Sequence, residues 1–131
     1  MNLAQLNTAL HEKFTMPESK DEQDCFHVGA AAHPRVSFMI VNRRLARIEV
    51  DGAGVPTASG IRVGDSEERA KQVYGSRLKV KPHAYTGREG HYLTIRSADG
   101  RYGIRFETDN GKITTFYAGR FDAVQYIEGC E

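Results

Sequence analysis

The sequence contains no tryptophan, only two cysteines and no long run of apolar residues. Because a helix needs about 18 to 20 apolar residues to cross a bilayer, the sequence predicts no transmembrane segment. Residues 1–14 lack the basic and apolar regions of a signal peptide, so none is expected within this chain. A charge excess is also missing, because 18 basic and 17 acidic side chains leave a net charge of +1. The charge therefore gives no reason to expect nucleic acid or an anionic membrane as a partner.

The chain has the size and composition of one soluble domain. Its 131 residues are 40% hydrophobic and 27% charged, which is enough apolar material for a real core. Glycine and proline concentrate just after residue 50, and residues 51–59 are predicted to be a linker. The interpretation is a single domain, 1–131, with pseudo-repeats at 1–50 and 60–119 and a C-terminal segment at 120–131.

The two halves carry their patterns in the same order. Asn2 can cap a helix with leucines at helical spacing, and three runs rich in β-branched and aromatic residues follow it. In the second half, Asp65 or Ser66 can cap a helix ahead of three further strand-like runs. The sequence thus predicts an α+β fold of two helix-plus-antiparallel-β-meander repeats. They form one sheet with helices on one face, and the other face stays open. The register also predicts that the first repeat begins at its helix.

Short motifs in the second half resemble a known group of bacterial proteins. Gly60, Gly64, Asp65 and Ser66 lead into the short helix, which ends at Gly75. This pattern resembles the tandem β-lactamase-inhibitor-protein-like domains and the BamE/SmpA-type outer-membrane lipoproteins. The resemblance implies a small, non-enzymatic envelope protein that binds other proteins, either as an inhibitor or as a structural subunit of an outer-membrane complex. None of the partner-contacting residues of that group is carried over.

The two cysteines lie near opposite ends of the chain. We expect a disulfide between Cys25 and Cys130, which would tie the C-terminal segment to the first half. A disulfide indicates an oxidising compartment, so the expected location is periplasmic or secreted. The alternative is a cytoplasmic protein with two separate buried thiols.

Two stretches of the sequence carry weak patterns for phosphate or zinc binding. The stretch 59–75 has the glycines of a phosphate loop, but Asp65, Glu67 and Glu68 would repel phosphate, so it is interpreted as scaffold. Cys25, His27 and Cys130, with His33 nearby, offer the atom types of a zinc site without its usual spacing.

Catalytic patterns are equally weak. No G-x-S-x-G elbow is present, although a cysteine–histidine dyad or acid–base work by Glu49 and Glu107 stays open. The prediction is a protein that is not an enzyme and uses no cofactor or metal. A small enzyme, or a zinc-dependent module using Cys25, His27 and Cys130, is the alternative.

Alternation along the strands points to one candidate surface. If Leu93, Ile95, Phe106 and Phe116 face the helices, their neighbours share the opposite face. That face is rich in tyrosine and arginine, which are frequent at binding hot spots. The predicted contact with a protein or cell-wall partner uses this face and the hairpin loops, including the loop 81–92. The candidate residues are Arg47, Glu49, Tyr92, Arg96, Arg105, Glu107, Thr115 and Tyr117.

Overall fold

A computed structural model describes residues 1–83, 87–125 and 130. Four short α-helices, one 3₁₀ turn and seven strands are present in these ranges. The helices are α1 (Leu3–Leu10), α2 (Lys20–Gln23), α3 (Glu67–Tyr74) and α4 (Phe121–Val124), and the 3₁₀ turn is Gly75–Arg77. The strands are β1 (Cys25–Gly29), β2 (Val36–Val41), β3 (Arg44–Val50), β4 (Lys79–His83), β5 (Gly87–Arg96), β6 (Tyr102–Asp109) and β7 (Lys112–Arg120). None of the helices in these ranges has the length and apolar character needed to cross a bilayer.

All seven strands belong to one antiparallel sheet. Their spatial order is β1-β2-β3-β7-β6-β5-β4, and the two halves of the chain join where β3 pairs with β7. The predicted pair of helix-plus-meander repeats is wrong. The first half supplies three strands and the additional helix α2, whereas the second supplies four strands, of which β5 alone has ten residues. The α+β class and the single sheet are what remain of the prediction.

Polar side chains fix the start of the two longer helices. The Asn2 carboxamide accepts a hydrogen bond from the Gln5 backbone N–H, and the Gln5 side chain accepts one from Asn2 in return, each at 2.9 Å. This is a capping box, and it satisfies donors that the first turn leaves unpaired. At α3 the Ser66 hydroxyl accepts from the Arg69 backbone N–H at 3.1 Å. Both predicted helix starts are confirmed.

The main hydrophobic core lies between one sheet face and helices α1 and α3. Leu6 and Ala70 are the buried residues that these helices contribute. The sheet contributes Leu93, Ile95, Phe106 and Phe116, as alternation predicted, together with Phe38, Ile40 and Ile113. All four predicted sheet residues are buried in this core, so the pattern of period two correctly identified the core face.

The prediction that all helices share one face is wrong, because α4 packs on the other face. Its Ala123 joins a second, smaller apolar cluster with Met39 and Ala46, and Cys25 and Cys130 pack against that cluster. Gly103 makes this approach possible. A Cβ atom there would lie 2.8 Å from the Ile95 carbonyl oxygen and 2.9 Å from Cδ1 of Phe121. A short helix therefore sits directly on the sheet where the sequence predicted open surface.

Candidate functional site

The eight candidate residues do share one face of the sheet, opposite α1 and α3, which we call the second face. Cross-strand pairing places Glu107 opposite both Tyr92 and Thr115, and Tyr117 opposite both Arg105 and Glu49. Their exposure differs sharply, however. Arg47, Tyr92, Arg105 and Tyr117 are buried, whereas Glu49, Glu107 and Thr115 are half-buried and Arg96 is exposed.

The second face is not open along its whole length, which corrects the prediction. The Arg47 guanidinium donates a hydrogen bond to the Ala123 carbonyl at 3.0 Å, and Arg105 donates one to the Gln125 carbonyl at 3.4 Å. Two arginines of the sheet thus hold the backbone of the C-terminal segment. The sequence predicted that a disulfide at Cys130 holds the C-terminal segment. It did not predict that residues 121–125 lie on this face.

Cys25 and Cys130 form a disulfide, as predicted. The bridge removes the thiolates that a zinc site or a cysteine nucleophile would need. Among the described residues, no group of three or more histidine, cysteine, aspartate or glutamate side chains is arranged to hold a metal ion. The alternative that used Cys25, His27 and Cys130 therefore loses two of its three ligands, and His27 has a different partner.

That partner is Glu49, on the far side of β2. His27 Nε2 lies 3.2 Å from Glu49 Oε1, and the same oxygen accepts from Arg47 Nε at 2.7 Å and Nη2 at 2.6 Å. Ser37 donates to the other carboxylate oxygen at 3.3 Å. Burial alone would raise the pKa of Glu49, but the hydrogen bond with His27 and the charge of Arg47 outweigh it and lower that pKa to about 2. Glu49 is therefore a fixed anion.

A second histidine–glutamate pair lies across the face. His83 Nε2 is 2.6 Å from Glu107 Oε1, and the His83 ring stacks on Tyr92 with 4.5 Å between centroids. The Arg105 guanidinium lies 4.9 Å from the centroid of the same tyrosine ring. His83 belongs to the predicted loop 81–92, but its contact with Glu107 was not predicted, because it depends on the pairing of β4 with β5.

Two tyrosines are buried between these pairs. Burial raises the pKa of Tyr117, and the nearby carboxylate of Glu107 adds to that effect, so the phenol stays protonated. The Arg47 guanidinium covers its ring at 4.1 Å from the centroid. The Tyr92 hydroxyl is buried and has no hydrogen-bond partner among the described residues.

We use the name polar strip for the accessible part of the second face. It consists of the two histidine–glutamate pairs with one threonine between them: His27, Glu49, Thr115, Glu107 and His83. Side-chain exposure is 24% for Glu49 and 19% for Glu107, so both carboxylates can be reached from solvent. The predicted loop 81–92 borders this strip in part, but its residues 84–86 lie outside the described ranges.

The stretch 59–75 forms a turn and helix α3, and one of its residues has a role that the sequence did not indicate. Gly60 and Gly64 adopt φ values of 86° and 95°, which favour glycine and explain their presence in this turn. Glu67, in the first turn of α3, is buried. Its carboxylate accepts from the Thr108 hydroxyl and lies 2.7 Å from His91 Nδ1, so it ties α3 to the sheet.

Comparisons with known proteins give a fold and no family. No family profile matches the chain, and no curated protein does either. Two solved structures are similar. One is an extracellular protein containing an SCP domain from Bacillus anthracis, with a TM-score of 0.56, 10% identity and coverage of 92% of this chain. The other is a DUF4309 family protein, YjgB, from Bacillus subtilis, with a TM-score of 0.53, 12% identity and coverage of 91%.

The match spans only part of each of those proteins. It covers 43% of the SCP-domain protein and 78% of YjgB. At identities this low the similarity concerns the fold alone. The resemblance to inhibitor-like and BamE/SmpA-type proteins has no counterpart in these matches, and it stays a hypothesis.

Proposed function

We propose that the protein is a non-enzymatic binding module of the bacterial envelope that contacts a protein partner through the polar strip. One observation carries this proposal: two carboxylates are held rigidly by histidine and arginine side chains, yet both stay accessible on one sheet face. Rigid, oriented acceptors lose little conformational entropy on binding, so they suit recognition of donors on a partner.

The chemistry of the strip also indicates which partner groups fit. Carboxylates accept hydrogen bonds, so the partner has to supply donors, and lysine and arginine make the strongest of these bonds. Glu49 remains ionised at any pH near neutrality, since its pKa is about 2. A protein surface with cationic side chains meets these requirements, and a cell-wall partner is the alternative outcome of the test below. The inhibitor-like role rests on the family resemblance alone.

An extracytoplasmic location is part of the proposal. The Cys25–Cys130 disulfide favours an oxidising compartment, and one of the two similar structures is an extracellular protein. We therefore place the protein in the periplasm or outside the cell, rather than in the cytoplasm.

The test introduces a large cation at the centre of the strip. Thr115→Arg should block a partner that brings its own cations, because like charges repel at close range. Alanine variants of Tyr92 or Tyr117 are unsuitable, since both rings are buried and their loss would destabilise the fold. Gln72→Arg is the matched control, because Gln72 is exposed on α3, away from the second face.

The readout is capture from envelope extract by the immobilised protein, with mass-spectrometric identification and then titration of the purified partner. We expect Thr115→Arg to weaken binding tenfold or more, at about 1.4 kcal/mol per factor of ten, while Gln72→Arg binds normally. Equal affinity of both variants would remove the polar strip as the contact surface. Retention of a cell-wall fragment instead of a protein would overturn the choice of partner.

A further inference from the structure

A cavity of about 350 Å³ opens beside α4, at the β4 edge of the second face, and none of its lining residues belongs to the polar strip. Five basic residues line it, and its other lining residues, Thr94, Phe121 and Gln125, are neutral. The five are Arg77, Lys79, Lys81, Arg96 and Arg105. They come from the 3₁₀ turn and from strands β4, β5 and β6, so only the folded sheet brings them together.

Arg105 is the buried base of this cavity, and its partners among the described residues are neutral. Its Nε donates to the Thr94 hydroxyl at 3.0 Å, its Nη1 donates to the Gln125 carbonyl at 3.4 Å, and Tyr92 covers its plane. The residue is only 7% exposed. A guanidinium has five N–H donors, so these contacts leave several donors unused. Burying a cation without an anion costs free energy unless a charged ligand compensates it.

The other cations of the cavity have no carboxylate partner either. Among the described residues, none of the five forms an ion pair. The carboxylates of the second face are engaged elsewhere, Glu49 by Arg47 and Glu107 by His83. Asp122 follows the cavity residue Phe121 in the sequence, and its Oδ1 atom lies 3.6 Å from Arg120 Nε. The cavity is thus a concentration of positive charge on a chain whose total charge is nearly zero.

We propose that this cavity binds the phosphate group of a phosphorylated sugar. A phosphate monoester carries a charge of about −1.5 to −2 and three acceptor oxygens, which match several converging cations better than a single carboxylate does. The cavity volume lies at the small end of the range for ligand sites, about 300 to 1,000 Å³, and suits one sugar-sized group. Phe121 supplies an apolar wall for the sugar, and the Arg96 guanidinium carbon lies 4.1 Å from the centroid of its ring.

Calorimetric titration of the purified protein tests the proposal with three probes. These are glucose 6-phosphate, inorganic phosphate and glucose. We expect glucose 6-phosphate to bind best, inorganic phosphate to bind more weakly and glucose to give no heat. Absence of heat from glucose 6-phosphate up to about 10 mM, well above the range of specific binding, would overturn the proposal. Equal binding of both phosphates would overturn the sugar assignment.

Matched variants separate a built site from diffuse charge. Lys79→Gln with Lys81→Gln removes two exposed cations of the cavity, and Lys13→Gln with Lys112→Gln removes two exposed cations elsewhere. The first pair should weaken glucose 6-phosphate binding tenfold or more, and the second should leave it unchanged. Equal weakening by both pairs would contradict a specific site. The proposal does not depend on the polar strip, because Thr115→Arg leaves all five cations in place.

Discussion

The disulfide between Cys25 and Cys130 should supply a large part of the stability of this protein. The bridge closes a loop with a sequence separation of 105 residues. The chain-entropy model assigns such a loop about 4.7 kcal/mol at 25 °C, by restricting the unfolded chain. For a domain of this length 1 kcal/mol moves the thermal midpoint by about 3.5 °C, so the model value corresponds to about 15 °C. Removing the bridge with Cys25→Ser and Cys130→Ser should lower the midpoint by up to that amount.

The location of the bridge reduces the expected loss below the model value. Cys130 follows the short helix α4, which is held on the second face by Ala123 and by hydrogen bonds from Arg47 and Arg105. Without the bridge, this segment can open locally while the rest of the sheet stays folded. We therefore expect a shift of about 7 to 15 °C, in line with the 2 to 4 kcal/mol typical of real bridges.

Two measurements check this reasoning on the same samples. The first is the thermal midpoint of wild type and double variant, both without reductant. The second is limited trypsin digestion followed by reduction and mass spectrometry, because cleavage after Arg120 releases residues 121–131 only where α4 has opened. The double variant should lose this peptide faster than wild type. A midpoint within about 2 °C of wild type, or alkylation of both cysteines in the native protein, would refute the argument.

Two further substitutions test contacts of the second face. Glu49→Gln should cost about 2 kcal/mol at pH 7 and make stability less sensitive to acid, as measured by urea denaturation at several pH values. The sign follows from the lowered pKa: the ionised carboxylate stabilises the fold above the unfolded value of 4.5, and that stabilisation is lost as the pH falls from 4.5 towards 2. If the free energy of unfolding depended on pH in the same way in wild type and variant, this account of Glu49 would be contradicted. Gly103→Ala should destabilise by about 1 to 3 kcal/mol in the same assay, because the new Cβ meets backbone and the Phe121 ring, whereas Gly54→Ala, with nothing within 4 Å, should stay within about 0.5 kcal/mol. Equal midpoints for the two alanine variants would show that α4 does not depend on that glycine.

Local patterns predicted the parts of this fold that depend on local chemistry. Alternation identified which residues of β5, β6 and β7 face the core, because a strand buried on one face repeats every two residues. The caps at Asn2 and Ser66 were also predictable, since each hydroxyl or carboxamide satisfies a donor within three residues. The disulfide followed from the number and spacing of the cysteines.

The errors concern contacts between elements that are distant in sequence. Similar strand patterns in both halves indicated two repeats, but pattern similarity does not determine the number of strands or the added helix α2. Residues 121–124 are too few to show helical periodicity, so α4 left no signal in the sequence. The sequence shows Glu67 only as an acidic residue in the first turn of a helix. Its buried contacts with His91 and Thr108 depend on where β5 and β6 lie in the fold.

The C-terminal segment determines which part of the second face can act. Its residues 121–125 lie at the end that carries Arg47 and Arg105, the Ala123 and Gln125 carbonyl groups accept hydrogen bonds from these arginines, and Glu49 and Glu107 stay accessible. It also forms one wall of the cationic cavity through Phe121. Helix α4 covers part of the second face and forms a wall of the cationic cavity. Opening of α4 should therefore affect the cavity and the polar strip differently. The cavity would lose a wall and bind phosphate less well, while the polar strip would keep its histidine–glutamate pairs.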